Sequence, residues 1–496
     1  MITIDIRKYK SPQKKMNAKI YIITVLLFLA YGSVYSQKFL QKTKMQASMG
    51  GIVSSDSTTP FLLRSNQFGL VPLKSGIGFL NFNIEQDYDS LSTINRKLKR
   101  FGYGYGLELH TNLGRANQLL LPVAHFKVRY GAFEFYAGRR REIQGLTDST
   151  LTSGAYVWSG NALPVPKLQV STPNWVALGK HNRISFKGGL SHGWFGTQGI
   201  IENYYLHQKW LYLKINDKKQ KVQLMGGINH QVQWGGYSEA LKNIGGEFPP
   251  TINGYLAPNP FYSYQFIVLP FLQKMVSPDP AKVPGYDRGL AIGNQLGSID
   301  VSAIINQNWQ LYHQKPFDFA RSLINFNNIE DGIYGISWKN KNPAGILSHI
   351  NGEFIFTKSQ GLYRFGKYQF SNSGEYDNYF SHGQYQSWSY NGNILGTPFI
   401  RLNPENLTIS GNRVKAFYLA ATSHYKKHSF LLKANHQINY GIYARPLNLQ
   451  ATSLLLSVQR VIPYQLNLEV QIAQDFGTLF GNTTGITVSI RRNSFL

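Results

Sequence analysis

The stretch Gln465-Leu-Asn-Leu-Glu-Val-Gln-Ile-Ala-Gln-Asp475, near the end of the chain, decides the fold. From Leu466 onward the even positions carry Leu, Leu, Val and Ile, whereas the odd positions carry Asn, Glu, Gln, Ala and Asp. Successive side chains of a β-strand point to opposite faces, so this alternation predicts a strand with one apolar and one polar face. The same pattern recurs, for example at 220–234 and 428–440. Many such strands of about ten residues are typical of a transmembrane β-barrel.

The alternation extends over most of the chain and predicts an all-β fold. Its clear stretches lie near 76–88, 100–112, 121–129, 132–139, 183–195, 206–215, 220–234, 299–313, 332–339, 348–358, 413–424, 428–440, 451–461, 464–475 and 484–492. Weaker stretches bring the expected total to about 16–18 strands in one antiparallel barrel. The barrel is expected to be closed, because an open sheet edge in lipid would leave backbone groups without hydrogen bonds.

The chain divides into an export signal and one barrel domain. Basic residues, the apolar run Ile20–Ala30 and small residues before Gln37 predict a secretory signal over 1–36, with Met16 as an alternative start. The barrel domain is expected from 37 to 496. Within it, the Pro-rich stretch 238–290 predicts a long extracellular loop with a short helix near 264–275, and 371–397 and 403–411 predict further loops.

The amino-acid composition limits the kinds of ligand that the protein can bind. The 496 residues carry a formal net charge of +26, with the basic residues scattered along the chain, which argues against a nucleic-acid-binding tail. A basic lumen or rim would attract acidic glycans or lipid phosphates, and the alternative is charge that serves solubility without a preferred partner. The chain has no cysteine, so disulfides and thiolate metal sites are excluded. The 31 Tyr, 30 Phe and 8 Trp suit the aromatic girdles of a barrel in outer-membrane lipid. We expect a monomer without a cofactor or a metal.

Several segments, taken in order, resemble one family. They are Thr59-Pro-Phe-Leu-Leu-Arg-Ser-Asn-Gln-Phe-Gly69, Tyr136-Ala-Gly-Arg-Arg-Arg-Glu142, Val157-Trp-Ser-Gly-Asn-Ala-Leu-Pro164, Phe186-Lys-Gly-Gly-Leu-Ser-His-Gly-Trp-Phe-Gly196, Asn229-His-Gln-Val-Gln-Trp-Gly-Gly236, Gly293-Asn-Gln-Leu-Gly297 and Thr357-Lys-Ser-Gln-Gly361. Together they resemble the capsule-assembly outer-membrane proteins of the Wzi family, in the form seen in Bacteroidetes-like bacteria. The resemblance covers nearly all of the chain after the signal.

The resemblance implies a barrel in the cell outer membrane that acts as a surface lectin. Such a protein holds exported capsular polysaccharide to the cell and is neither an enzyme nor the export pore. Family members from enteric bacteria close the periplasmic mouth with an N-terminal helical bundle. Here Thr59–Gly69 is followed closely by the strand pattern at 76–88, so we expect this helical plug to be reduced or absent.

Candidate glycan-binding residues combine aromatic rings with planar polar groups, because sugar C–H faces stack on rings while hydroxyl groups take paired hydrogen bonds. Arginine adds bidentate recognition of a carboxylate, although lumen arginines also form structural ion pairs. Tryptophan near a strand end is also common in an interfacial girdle, which leaves both interpretations open. The candidates are Trp158, Asn161, Arg139, Arg140, Trp234, Trp388 and Tyr390.

Two rival functions remain. A diffusion channel resembling a porin would show the same polar strand faces but an open bore. A barrel hydrolase would need a nucleophile, and Gly189-Leu-Ser-His-Gly193 matches the GxSxG expression at Ser191. That motif requires a sharp turn from a strand into a helix, whereas Ser191 lies inside a predicted strand, so catalysis is not expected.

Overall fold

The first described strand closes the sheet into a barrel. In this computed structural model, β1 (Lys44–Ser54) pairs antiparallel with both β2 (Ile77–Gln86) and β25 (Thr483–Asn493), the last strand of the chain. Every neighbouring pair between them is also antiparallel. The structure describes residues 43–88, 101–179, 183–288, 292–318, 320–324, 326–342, 345–361 and 376–493. The predicted signal at 1–36 lies outside these ranges and stays a prediction.

The wall is built from long, regular strands. The remaining wall strands are β3 (Phe101–Gly114), β4 (Gln118–Tyr130), β5 (Phe133–Arg139), β6 (Lys167–Ser171), β7 (Val176–Leu178), β8 (Ile184–Gln198), β9 (Ile201–Asn216), β10 (Val222–Trp234), β11 (Asn294–Ile305), β12 (Trp309–Phe317), β13 (Gly332–Lys339), β14 (Leu347–Phe356), β21 (Val414–Tyr425), β22 (His428–Ile442), β23 (Arg445–Ile462) and β24 (Leu466–Phe476). Both β6 and β7 pair with β8 and form one interrupted strand, so the closed barrel has 18 strands. This confirms the predicted fold class.

Short elements lie in the connections. They are the helices α1 (Phe61–Arg64), α2 (Pro260–Val268), α3 (Leu272–Met275), α4 (Gly285–Arg288) and α5 (Ala320–Ile324), a 3-10 turn (Pro463–Gln465), and the strands β15 (Ser381–His382), β16 (Gln386–Ser387), β17 (Ser389–Tyr390), β18 (Asn393–Ile394), β19 (Arg401–Leu402) and β20 (Ile409–Gly411). Among the described residues, no helix is long and apolar enough to cross a membrane. The described chain between β1 and β2 holds only the four-residue α1.

The two faces of β24 follow the alternation of the sequence. Ile472 and Phe476 point outward and are 47% and 40% exposed, whereas Ala473 and Asp475 point inward and are buried. On the inner face, the carboxylate of Glu469 accepts hydrogen bonds from Ser457 and Gln471. The apolar phase of each strand therefore forms the outer surface, and the polar phase lines the interior.

The connections at the two ends of the barrel differ in length. Both described termini and the turns 131–132, 217–221 and 426–427 lie at one end, whereas the connections 55–76, 140–166, 235–293 and 357–413 all lie at the other. Barrels of this kind place short turns in the periplasm and long loops outside the cell. We therefore expect the end with the long connections to be extracellular, and the two ends are named on that basis.

Most predicted strands are confirmed, with one clear error. The stretch 299–313 is not a single strand, because Asn306 and Gln307 adopt positive φ values of 49° and 64° and turn the chain from β11 into β12. Alternation continues in phase across this tight turn, so periodicity alone could not locate it. Strands β1, β6 and β7 are not among the clear predicted stretches, and the loops expected at 371–397 and 403–411 belong to one connection, 357–413.

The outward phase of β24 gives a stability prediction. We expect Ile472→Arg to lower the free energy of unfolding by about 2–4 kcal/mol, because a charge near the midplane of the bilayer loses its hydration. Phe476→Arg, at the exposed outward position that ends the same strand, is the matched control and should cost at most about 1 kcal/mol. Guanidinium unfolding in lipid vesicles, followed by tryptophan fluorescence, measures both. Equal costs for the two variants would contradict the outward assignment.

Candidate functional site

The connection 140–166 folds into the barrel and crosses its interior. Its backbone is held by the opposite wall: the amide of Leu146 donates to Asp300 on β11 at 3.1 Å, and the amide of Tyr156 donates to Gln314 on β12 at 2.9 Å. Buried backbone groups require such partners, and here the polar inner faces of the strands supply them. The loop therefore fills space that an open channel would leave to water.

The connections 55–76 and 357–413 pack onto this inserted loop. Tyr156 is fully buried, with its ring centroid 5.9 Å from that of Tyr379 and 5.4 Å from that of Phe380. The amide of Phe61 in α1 donates to the carboxylate of Asp475 on β24 at 2.8 Å. One hydrophobic cluster joins buried residues of all three connections to the wall. We call residues 55–76, 140–166 and 376–413 together the lumen plug.

A serine, a histidine and an aspartate meet where the plug reaches the far wall. The Asp148 carboxylate lies 2.5 Å from the Ser337 hydroxyl and 2.7 Å from His349 Nε2, and that same nitrogen lies 3.0 Å from the Ser337 hydroxyl. A catalytic triad uses the two ring nitrogens separately, one for the nucleophile and one for the acid. Here both partners share Nε2, so the three residues anchor the loop and are not arranged for nucleophilic attack.

Ser191 also lacks the geometry of a nucleophile elbow. It lies in the middle of β8, points inward, and is opposite Gln208 on β9, with no helix following. Its hydroxyl donates to the Gln208 side chain at 3.5 Å. Among the described residues, no group of three or more His, Asp or Glu is arranged to hold a metal ion.

The wall is shorter at the point where the plug enters. Strand β5 ends at Arg139, which pairs with Ala124, so within the described part of the chain residues 118–123 of β4 have no strand partner on that side. The Arg139 guanidinium reaches back and donates to the carbonyl of Leu121 at 3.4 Å. On the other side of this gap, the amide of Trp194 on β8 donates to the carbonyl of Pro166 at 3.0 Å. Side chain and loop thus satisfy part of the backbone that the short strands leave open.

An ionic network lies just below this gap. Arg140 contacts Glu134 at 2.6 Å and Glu142 at 2.7 Å, and Lys167 contacts Glu142 at 2.7 Å. Arg141 contacts Glu108 on β3 at 2.5 Å. The ion pairs expected as an alternative for the arginine run are therefore present for Arg140.

The network has an excess of positive charge. Its ion-paired members balance, with Lys127, Arg140, Arg141 and Lys167 against Asp87, Glu108, Glu134 and Glu142. Arg139, which donates to the hydroxyl of Tyr390, adds one further positive charge. Arg141 is 38% exposed, whereas its partner Glu108 is buried. The positive charge is therefore presented to water while the negative charge is covered.

Six of the seven predicted binding residues lie around this network. Arg139 donates to the hydroxyl of Tyr390 at 2.8 Å, and Asn161 donates to the carbonyl of Ile394, on the strand paired with that of Tyr390. Trp158 lies under the Lys167 ammonium, at 5.0 Å from the ring centroid. Arg140 belongs to the network itself, and Trp388 lies close by: Phe195 contacts both Trp388 and Tyr390.

The aromatic members of this group are packed rather than open. Trp158, Trp388 and Tyr390 are all buried, so a sugar could stack on them only after the plug moved. Trp234 lies elsewhere, because it points outward from β10 and is buried under α2. Glycan binding by these residues stays a prediction.

The residues that sequence reasoning did not select are Arg141, Glu142, Lys167 and Phe68. The Arg141 guanidinium lies 5.1 Å from the centre of the Phe68 ring, and the Phe68 amide donates to the carbonyl of Gly160 in the inserted loop. The run of three arginines pointed to this place, but nothing in the local sequence distinguishes Arg141 as the exposed member. Phe68 is brought here by the plug alone.

Glu142 gives a pH-dependent prediction. Burial opposes its ionisation, but Lys167 and Arg140 outweigh that effect and lower its pKa from 4.5 to about 2. Its contribution to stability is therefore present above pH 4.5 and is lost as the pH falls toward 2. We expect Glu142→Gln, which removes the carboxylate that Lys167 contacts and leaves Arg140 with Glu134, to cost about 3–5 kcal/mol near pH 7 and less at low pH.

Thermal unfolding in vesicles at neutral and acidic pH measures this difference. Glu405→Gln, at an exposed position in the connection 357–413, is the matched control and should change little at either pH. A cost for Glu142→Gln that does not depend on pH would contradict the ion-pair assignment.

Comparison with known proteins supports the architecture. No family model matches the sequence, and no curated protein matches it. Among solved structures, the chain is similar to Wzi, an Escherichia coli outer-membrane protein involved in group 1 capsule assembly and described as a carbohydrate-binding β-barrel. The TM-score is 0.55 at 11% identity, over 92% of this chain and 86% of that one. It is also similar to OccK5 of Pseudomonas aeruginosa (TM-score 0.40, 9% identity, 92% and 98% covered) and to an anion-selective porin of Comamonas acidovorans (0.37, 9%, 91% and 98%). The closed barrel, whose fold is similar to that of Wzi, places the chain in the outer membrane.

Proposed function

We propose that this protein holds an acidic polysaccharide at the cell surface without catalysing a reaction. The observation that carries the proposal is a bore filled by its own surface loops, which leaves arginines partly open beside the plug. Arg141 is 38% exposed and Arg140 is 20% exposed, within a network that has more bases than acids. A planar guanidinium can bind a sugar carboxylate through two parallel hydrogen bonds.

The charge of the chain supports a polymeric acidic ligand. A net charge of +26 attracts polyanions, and this attraction is screened over about 8 Å at physiological ionic strength. A polymer presents the same group many times, so one modest site is occupied at high effective concentration. A single barrel with weak sugar contacts can therefore retain a long chain. The carbohydrate binding described for the similar Wzi barrel agrees with this proposal.

The alternative of a diffusion channel is disfavoured by the lumen plug. Barrels of about 16–18 strands leave an aqueous channel when their interior is open. Here the inward side chains Gln208, Gln231, Gln314 and Asn351 are all fully buried, and the inserted loop reaches from β5 to β14 through the 2.7 Å hydrogen bond of Thr152 to Glu353.

Polymer retention tests the proposal in cells. Deleting the gene should leave the total polysaccharide unchanged but move it from the cell surface into the medium. We expect Arg139→Gln with Arg141→Gln to reproduce part of this release, because these side chains offer the guanidinium groups. Arg401→Gln, an exposed arginine in the connection 357–413, is the matched control and should retain the polymer. Immunoblots of outer membranes confirm equal protein levels.

Conductance in planar bilayers separates the two functions. The wild-type protein should show no stable open state, whereas replacing residues 144–158 with a short Gly-Ser linker should open the bore, because that segment crosses the interior. If the wild-type protein conducts steadily, and the deletion strain keeps its bound polymer but loses uptake of small solutes, the function is that of a channel.

A further inference from the structure

The outer surface of the barrel changes along β9 and β10. Toward the periplasm, the outward side chains Leu211 and Leu224 are 51% and 55% exposed. Toward the extracellular end, His207, Val232 and Trp234 continue the same outward phase but are buried. Because the plug lies on the other side of the wall, these side chains are covered by something that packs on the barrel from outside.

The cover is residues 260–276, which we call the outer arm. Its Tyr264 ring lies 5.5 Å from the His207 ring and 5.4 Å from the Trp234 ring. Lys209, also outward on β9, donates to the carbonyl of Val268 at 2.5 Å and so binds the carboxyl end of α2. Val232 and Trp234 of the wall form, with Phe266 and Ile267 of the arm, a second hydrophobic cluster that is separate from that of the lumen plug.

The sequence explains why a helix forms here. The side chain of Asn259 caps α2 by accepting a hydrogen bond from the amide of Tyr262 at 3.0 Å, and Pro260 occupies the first helical position. Pro270 cannot continue the helix, which ends before it, and α3 resumes two residues later. The arm is thus two short helical segments joined by a proline break.

The face of the outer arm that points away from the barrel is apolar. Phe261 is 94% exposed and Met275 is 75% exposed, and Leu269, Phe271 and Val276 are also open. The segment contains a single charged residue, Lys274. We infer that the outer arm is immersed in the outer leaflet of the membrane, where lipid acyl chains cover these side chains. This inference does not depend on the proposed function.

The height of the outer arm agrees with this placement. A tilted membrane strand needs about 9–11 residues to cross the hydrocarbon core. On β9, the stretch from Ile215 to Tyr205, whose odd-numbered side chains point outward, has that length. Tyr205 at its extracellular end pairs with Trp234, which the arm covers. The arm therefore lies at the extracellular edge of the lipid-facing belt, where Trp and Tyr are enriched in membrane proteins.

The surface beside the outer arm is continuous with the lipid-facing wall. On one side, Trp194 of β8 is 40% exposed, and below the arm Val301 of β11 is 49% exposed. On the other side, the connection after β12 also folds outside the wall, where the outward Lys315 donates to the carbonyl of Ser322, and it leaves Ile324 and Phe326 open. Because lipid covers this belt all round, it is the occupant that the continuity of the surface favours.

Site-directed labelling tests the inference in the full-length protein, whose natural sequence has no cysteine. Phe261→Cys and Met275→Cys are compared with Leu211→Cys as a lipid-facing control and Glu239→Cys as an aqueous control in the same connection. In vesicles, each receives a membrane-impermeant maleimide or a nitroxide label. We expect the cysteines at the two arm positions to react as little with the maleimide as the cysteine of Leu211→Cys does. Their nitroxide labels should collide more often with oxygen, which dissolves in lipid, than with the water-soluble nickel chelate.

Labelling of both arm positions at the level of Glu239→Cys would overturn the inference. The inference is also wrong if nitroxides at both arm positions are shielded from oxygen as well as from the nickel chelate, and if they show spin–spin broadening that disappears when labelled protein is diluted with unlabelled protein. That result would indicate that a second copy of the chain covers the arm. Heat-modifiable migration on gels verifies folding of each variant. Phe271→Cys replaces any variant that fails this check.

Discussion

The structure depends on one constraint: every backbone group of a strand in lipid must find a hydrogen bond within the protein. The pairing of β1 with both β2 and β25 meets this requirement by removing the two edges that an open sheet would have. Closure in turn makes the outer surface uniform, and outward positions such as Ile472 are apolar because only lipid can cover them. The even strand number follows from closure in which β1 is antiparallel to both of its neighbours.

Closure creates the opposite problem inside. An 18-strand wall encloses more space than its own side chains can fill. Here the surface loops enter that space, and their backbone groups bind the polar inner faces of the strands: Asp475 accepts from Phe61, Asp300 from Leu146 and Glu353 from Ser153. The inward polar side chains of the strands therefore accept hydrogen bonds from the backbone of the lumen plug. The plug in turn packs its aromatic residues against the wall.

The arginine network shows how charge is distributed when a plug meets a wall. Glu134 and Glu142 are covered and paired, because a buried charge without a partner is strongly destabilising. Arg139 lies at the end of the short strand β5, and Arg141, two residues further on, is partly exposed. On the outside of the barrel, the outer arm covers Trp234 and exposes Phe261 in its place, so an apolar surface is exchanged for another apolar surface.

The sequence by itself determined the barrel and the phase of its strands. Alternation is a local property with a period of two, so Leu466–Ile472 and Trp234 could be assigned to the outward face without knowledge of any distant residue. The run Arg139–Arg141 likewise marked the place where charge accumulates. What covers each face was decided only by the tertiary structure. Trp158 and Trp388 lie beside planar polar residues in the sequence, as in an exposed sugar-binding site, yet both side chains are buried. Their burial depends on loops that meet wall residues far away in the chain, as Thr152 meets Glu353. Such contacts leave no periodic trace in the sequence, because they arise from packing between segments and not from the conformation of either one.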